Sequence, residues 1–308
     1  MKLAIPDLIS PSYFPAAAAV ELGFFREEGL DVTLELVYPV DNCYRQMHDG
    51  TIDFVGGSAH SALAAFPQWQ GVKLICAQGQ GMYWFLVMHR DFGGTRGDLS
   101  VVKGRTIGAA PWVDMGLKRM LIAAGIDPVR DGVSIAPVPG AFTGGGTVNF
   151  GLFAAKALEE RKIDGFWANG MGTEVAVRGG YGTVIADVRR GDGPKECFDY
   201  TMASIATTDR LIAASPEAAA GAVRAIVKTH RALKEDVARA TAVGRKLFPP
   251  AEAELIAELI RRDLPFYDAA ISEASVARMN EFARDVGVLA GDVPYERVVA
   301  TELRGLWR

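Results

Sequence analysis

The chain has 308 residues, 49% hydrophobic and 23% charged, with a net charge of −4. That is enough apolar chain for two domains of ordinary size, and the absence of any Lys/Arg run excludes the basic stripe of a nucleic-acid binder. Membrane insertion is excluded as well, because Pro6, Asp7, Pro11 and Pro15 interrupt the longest apolar stretch well short of the ~20 residues a spanning helix needs.

The chain opens on an apolar strand at 3–8, followed by a small-residue helix at 15–22 that closes on Gly23, Phe24 and Phe25. An alternating strand at 32–37, a helix at 43–49, a strand at 53–55, a helix at 61–66 and a strand at 72–77 come next. The apolar run 84–89 continues as an extended segment into a loop rich in Gly and Asp at 90–99. The alternation then restarts, with strands at 105–109, 134–137, 165–168 and 183–186 and helices at 115–124 and 149–160. Two long amphipathic helices, 216–240 and 251–264, finish the chain, their Glu/Arg faces reading as solvated surface. Strands alternating with helices predict an α/β fold, each half a mixed, mostly parallel sheet covered by helices. The three cysteines, Cys43, Cys76 and Cys197, have neither C-x-x-C spacing nor histidine partners and read as buried small hydrophobes.

Several phrases carry a resemblance. In the first half these are Tyr13 and Pro15, the alanine helix, Gly23-Phe24-Phe25, Glu28-Gly29-Leu30-Asp31-Val32 and Gly50-Thr51-Ile52-Asp53. In the second they are Lys103-Gly104-Arg105-Thr106-Ile107-Gly108, Ala124-Gly125-Ile126-Asp127-Pro128 and Ile163-Asp164. Together they resemble the NMT1/THI5-like solute-binding proteins, which include sulfonate-, nitrate- and thiamine-precursor-binding components of ABC transporters. The resemblance implies a two-lobed periplasmic-binding-protein type II fold with a ligand cleft between the lobes. Lobe 1 would be 1–89 with 199–308, and lobe 2 the insert 90–198. It also implies a small-molecule ligand, a sulfonate, carboxylate or pyrimidine, with an ABC permease as partner, a monomeric state and no cofactor or metal. Periplasmic location follows from the resemblance. Met1-Lys2 leads directly into the first strand without a signal-peptide pattern, which leaves two alternatives: a signal removed ahead of Met1, or a protein that works in the cytoplasm.

In such a fold chemistry belongs to loops at the carboxyl ends of strands, where helix N-termini expose unpaired N–H groups. Three loops qualify: Ser10, Ser12 and Tyr13 ahead of a proline-started helix; Ser58, Ala59 and His60 after paired glycines; and Trp112, Val113 and Asp114 in the second half. Gln80, Asn169 and Glu174 complete the candidate ligand set. Ordinary helix capping explains serines in these places equally well. None of the three loops contains Lys or Arg, so the ligand is expected to be held by backbone N–H groups rather than an ion pair. Asn169 with its neighbouring glycines reads as an open wall, and the Gly-rich stretch 140–147 as a candidate anion nest.

An enzyme on the same scaffold is the alternative, with His60 as its candidate catalytic residue. The phrase 59–65 resembles the thiamine-pyrimidine-synthase segment that carries a sacrificial histidine, but Gly56 stands where that enzyme keeps its lysine. A desulfinase of the same family keeps a nucleophilic cysteine in the first loop, which here offers only Ser10 and Ser12. The reading favours a binder whose ligand touches His60.

Overall fold

The computed structural model describes residues 1–140 and 149–308, so the candidate nest at 140–147 falls, from residue 141 on, outside the described residues. Ten strands form among the described residues: β1 Lys2–Ile5, β2 Thr33–Leu36, β3 Phe54–Ser58, β4 Val72–Gly79, β5 Phe85–His89, β6 Thr106–Ala109, β7 Ser134–Ala136, β8 Gly165–Ala168, β9 Gly182–Asp187 and β10 Ala203–Thr208. They make two five-stranded sheets, ordered β2-β1-β3-β10-β4 and β7-β6-β8-β5-β9. Unit 1 comprises Met1–Gln80 and Thr201–Arg308, and unit 2 comprises Gly81–Tyr200.

In unit 1, β1 runs parallel to β2 and β3, and β10 is antiparallel to both β3 and β4. The helix Phe14–Glu21 has Pro in its first turn, where the missing N–H costs nothing, and Gly23 stops it at φ 83°. Its residues Ala16 to Ala19 are wholly buried, and the helix packs against Pro216–Glu235. The paired glycines of β3 make room for protein rather than ligand: a Cβ on Gly56 would lie 3.0 Å from Ile5 Cγ2, and one on Gly57 3.1 Å from Val40 Cγ2. The helix expected at 61–66 is a 3₁₀ turn, Ala59–Ala64, whose first N–H donates to Met202 O at 2.9 Å. The long helix expected at 216–240 ends at Glu235. Asp236 Oδ1 then accepts from Ala238 N (3.0 Å), starting a separate helix, Ala238–Leu247.

In unit 2, β6 runs parallel to β7 and β8, and β5 is antiparallel to β8 and β9. The segment 85–89, assigned from the sequence to the first lobe, belongs here, because β5 takes all its strand partners from β8 and β9. Each sheet therefore contains one antiparallel strand beginning within five residues of a unit boundary, β5 after Gln80 and β10 after Tyr200. Asn169 and its glycines do not form an open wall. Asn169 Oδ1 accepts from Met171 N (3.0 Å) and starts the helix Gly170–Arg178, which the sequence reading missed. That helix meets Phe150–Glu159 so closely that a Cβ on Gly172 would lie 2.2 Å from Gly151 O.

The repeated Ile-Asp step does the same work in both units. Asp53 accepts from Lys2 N at 2.7 Å and Asp164 from Thr106 N at 2.8 Å, and each returns its own N–H to the carbonyl of that residue. The carboxylates pin the starts of β1 and β6 to the strands beside them, which explains why the motif recurs without any ligand.

Candidate functional site

The register puts the carboxyl ends of β1, β3 and β4 and the start of β10 on one edge of the unit 1 sheet, with Ala203 level with both Ser58 and Gly79. Ser10, Ser12, Tyr13, Ser58, Ala59 and His60 gather at this edge, all buried. Neither Ser10 nor Ser12 caps the following helix. Its Ala16 N–H is met instead by Gln78 Oε1 at 3.1 Å, and Gln78 Nε2 donates to Ser204 O at 3.1 Å. Among the described residues Ser10 Oγ is buried without a hydrogen-bond partner, as is Ser204 Oγ. Ser58 and Ser61 share a hydroxyl–hydroxyl bond of 2.6 Å, and Tyr44 Oη donates to Ser58 O.

His60 is completely buried, bonded through Nδ1 to Thr201 Oγ1 (3.0 Å) and set edge-on to the Phe282 ring at 5.3 Å. It therefore ties the β3 turn to the chain arriving at β10. Behind the first loop, Tyr267 Oη donates to Pro11 O (2.6 Å) and stacks on His230, whose Nε2 bonds Gln78 O at 2.9 Å. Burial lowers the His230 pKa to about 4, so the ring is neutral and Nε2 carries the donated hydrogen. Gln80 is occupied by structure: its amide donates to Asp268 O and Ala270 O, at 2.9 and 2.7 Å.

On the unit 2 sheet the ends of β6, β8 and β9 and the start of β5 share an edge, with Phe85 level with Ala168 and Asp187. Trp112 stands in the loop after β6 at φ 68°, a left-handed conformation that costs a bulky residue ~1–3 kcal/mol. A cavity of 290 Å³ there is lined by Trp112, Asp114 and Met115 on one side and by Ala136 and Pro137 on the other. Val113 O accepts from Trp167 Nε1 (3.1 Å), and Asp114 pairs with Lys118 one turn along its helix. Trp167 is wholly buried and tilts against Trp84 at 6.1 Å. Glu174 pairs with Arg178 on the helix surface. Cys43, Cys76 and Cys197 are buried thiols. Burial raises all three above the ordinary range, Cys197 to about 12, which removes them as nucleophiles.

The family profile described as NMT1/THI5 like matches residues 10–240. The chain belongs to the NMT1/THI5-like family. No curated protein matches it. Among solved structures, a Bordetella bronchiseptica RB50 protein superposes with TM-score 0.77 at 19% identity, covering 99% of this chain and 95% of its own. The alkanesulfonate-binding protein SsuA from Xanthomonas axonopodis pv. citri, bound to MOPS, superposes with TM-score 0.71 at 13% identity, covering 98% and 96%. The periplasmic nitrate-binding protein NrtA from Synechocystis PCC 6803 gives 0.72 at 13% identity, covering 98% and 86%. These likenesses establish the two-lobed periplasmic-binding-protein fold for this NMT1/THI5-like chain.

Sequence reasoning missed Gln78, Thr201 and Ser204 in unit 1. It applied the strand-end rule to the loops after β1, β3 and β6. Thr201 becomes legible only when 203–208 is known to be a strand.

Proposed function

We propose that this NMT1/THI5-like protein is a solute-binding protein that captures a small organic anion or planar heterocycle for an ABC importer, working as a monomer. One observation carries the reading: Ser10 Oγ is buried at the carboxyl end of β1 with no hydrogen-bond partner among the described residues. A buried unpaired hydroxyl costs ~1–3 kcal/mol, and a ligand oxygen or nitrogen would remove that cost on binding. In unit 1 Ser58 joins Ser10 in the proposed ligand-facing set, with Ser12 and Tyr13 on the same sheet edge; in unit 2 the candidates are Trp112, Val113, Asp114 and Asn169. His60, pinned beneath Phe282, holds the turn in place rather than reacting. The alkanesulfonate and nitrate named for two structural relatives support an oxyanion as the solute.

The test combines a thermal-shift screen of sulfonates, carboxylates, nitrate and pyrimidines with the substitution Ser10→Ala. A true ligand at 100 times its Kd adds ~2.7 kcal/mol of apparent stability. The substitution should stabilise the unliganded protein by ~1 kcal/mol and weaken the hit, two effects of opposite sign. A Ser10→Ala protein that binds as well as wild type removes the observation on which the reading rests. Turnover of a bound compound would replace the binder by an enzyme.

A further inference from the structure

The 290 Å³ cavity of unit 2 opens where the loops after two neighbouring parallel strands part. β6 and β7 run side by side, with Gly108 level with Ala136. Beyond them Pro111, Trp112 and Met115 line the cavity from the β6 loop, Ala136 and Pro137 line it from β7, and the buried Ala109 lines it at the strand end. Asp114 is the one charged group on this lining among the described residues, and Lys118 pairs with it at 2.5 Å. The walls are therefore apolar, with no charge left uncompensated.

Both walls are held from outside the cavity. The turn that keeps Trp112 at φ 68° is fixed through the next carbonyl, Val113 O, which accepts from the buried Trp167 Nε1 at 3.1 Å. Opposite, Val138 is buried so close to Gly108 that a Cβ on that glycine would lie 2.6 Å from Val138 Cγ2, which anchors the chain on the far side of Pro137. Walls fixed in this way hold their shape before a ligand arrives, so little ordering is left for binding to supply. Size narrows the occupant further. An apolar cavity of about 150 Å³ takes one benzene ring, and pockets for whole ligands begin at about 300 Å³. At 290 Å³ the cavity suits one or two rings that form part of a ligand, against an indole and a thioether that both favour aromatic partners.

We propose that this cavity is an aryl subsite: the solute carries an aromatic group of one or two rings that lodges against Trp112, while its polar end stays outside. This inference rests on the solute-binding reading and narrows its small organic anion to an aryl-bearing one.

Calorimetric titration of the full chain with two matched series tests it: methanesulfonate, benzenesulfonate and naphthalene-2-sulfonate, and acetate, benzoate and 2-naphthoate. In at least one series the aryl members should bind at least about 30-fold tighter than the methyl member, because a ring leaves water for apolar walls. Trp112→Ala should cut that advantage to less than about threefold, and Trp112→Phe should restore most of it. Ala136→Leu, at an exposed position where a larger side chain leaves the fold intact, fills the cavity from the opposite wall and should abolish the ranking without touching the β6 loop. If Trp112→Ala does not fold, Ala136→Leu carries the test. Equal affinities within both series overturn the aryl subsite while leaving a solute-binding protein. An aryl preference that survives Ala136→Leu or Trp112→Ala places the ring elsewhere and overturns it too. Failure of every probe to bind the folded protein would overturn the solute-binding reading itself.

Discussion

Acidification should loosen the first loop of unit 1 through His230. This histidine is fully enclosed, bonded to Gln78 O and stacked on Tyr267, the residue that holds Pro11 O. Burial is the largest influence on it and favours the neutral ring; Lys234 acts in the same direction, whereas the Gln78 carbonyl and Asp268 oppose. The folded pKa of about 4 lies below the ordinary 6.5, so below pH 6.5 the unfolded chain takes up a proton that the folded one refuses. Stability from this group is therefore complete above pH 6.5 and is lost as the pH falls towards 4. At 1.36 kcal/mol per pH unit the total is about 3 kcal/mol. Denaturant unfolding of wild type and His230→Gln, whose amide can still donate to Gln78 O, between pH 8 and pH 4 isolates the term, since other carboxylates titrate equally in both. The wild type should lose about 3 kcal/mol more than the variant across that window and then run parallel to it. Parallel profiles throughout would refute the reasoning.

Gly172→Ala should cost ~3 kcal/mol or more, visible as a lowered thermal midpoint, because its Cβ would fall 2.2 Å from the Gly151 carbonyl of a packed helix. Trp112→Gly should exceed Trp112→Ala in stability by ~1 kcal/mol, since both lose the indole and only glycine is at ease at φ 68°; equal midpoints would show that the loop relaxes. His60→Ala, which removes the tie to Thr201 and the contact with Phe282, should cost ~2 kcal/mol by chemical denaturation and reduce solute affinity without changing which probes bind. A change in probe selectivity would instead place the imidazole against the ligand.

Local signals were sufficient for much of unit 1 and for the parallel core of unit 2. Pro15 and Gly23 bracket the first helix, β-branched and apolar runs mark β1, β4 and β6, and the two Ile-Asp steps announce the same strand pairing twice. These elements follow from propensity, capping and period, which act over a few residues and are therefore readable in one dimension. The helix Gly170–Arg178 was not, because Gly170 and Gly172 oppose helix formation and Gly172 is accounted for by the close approach of Gly151 on the facing helix. β10 was not readable either: it is buried on both sides within its sheet and so lacks the alternation that marks a half-exposed strand. The site divides in the same way. The serines at 10, 12 and 58 and the tryptophan at 112 could be nominated from strand-end position alone. That Gln78 rather than a serine serves the first helix and that His60 is held by Thr201 depend on residues 62 and 141 positions apart in the chain. Contacts over such separations are set by how the sheets assemble, and only the tertiary structure could decide them.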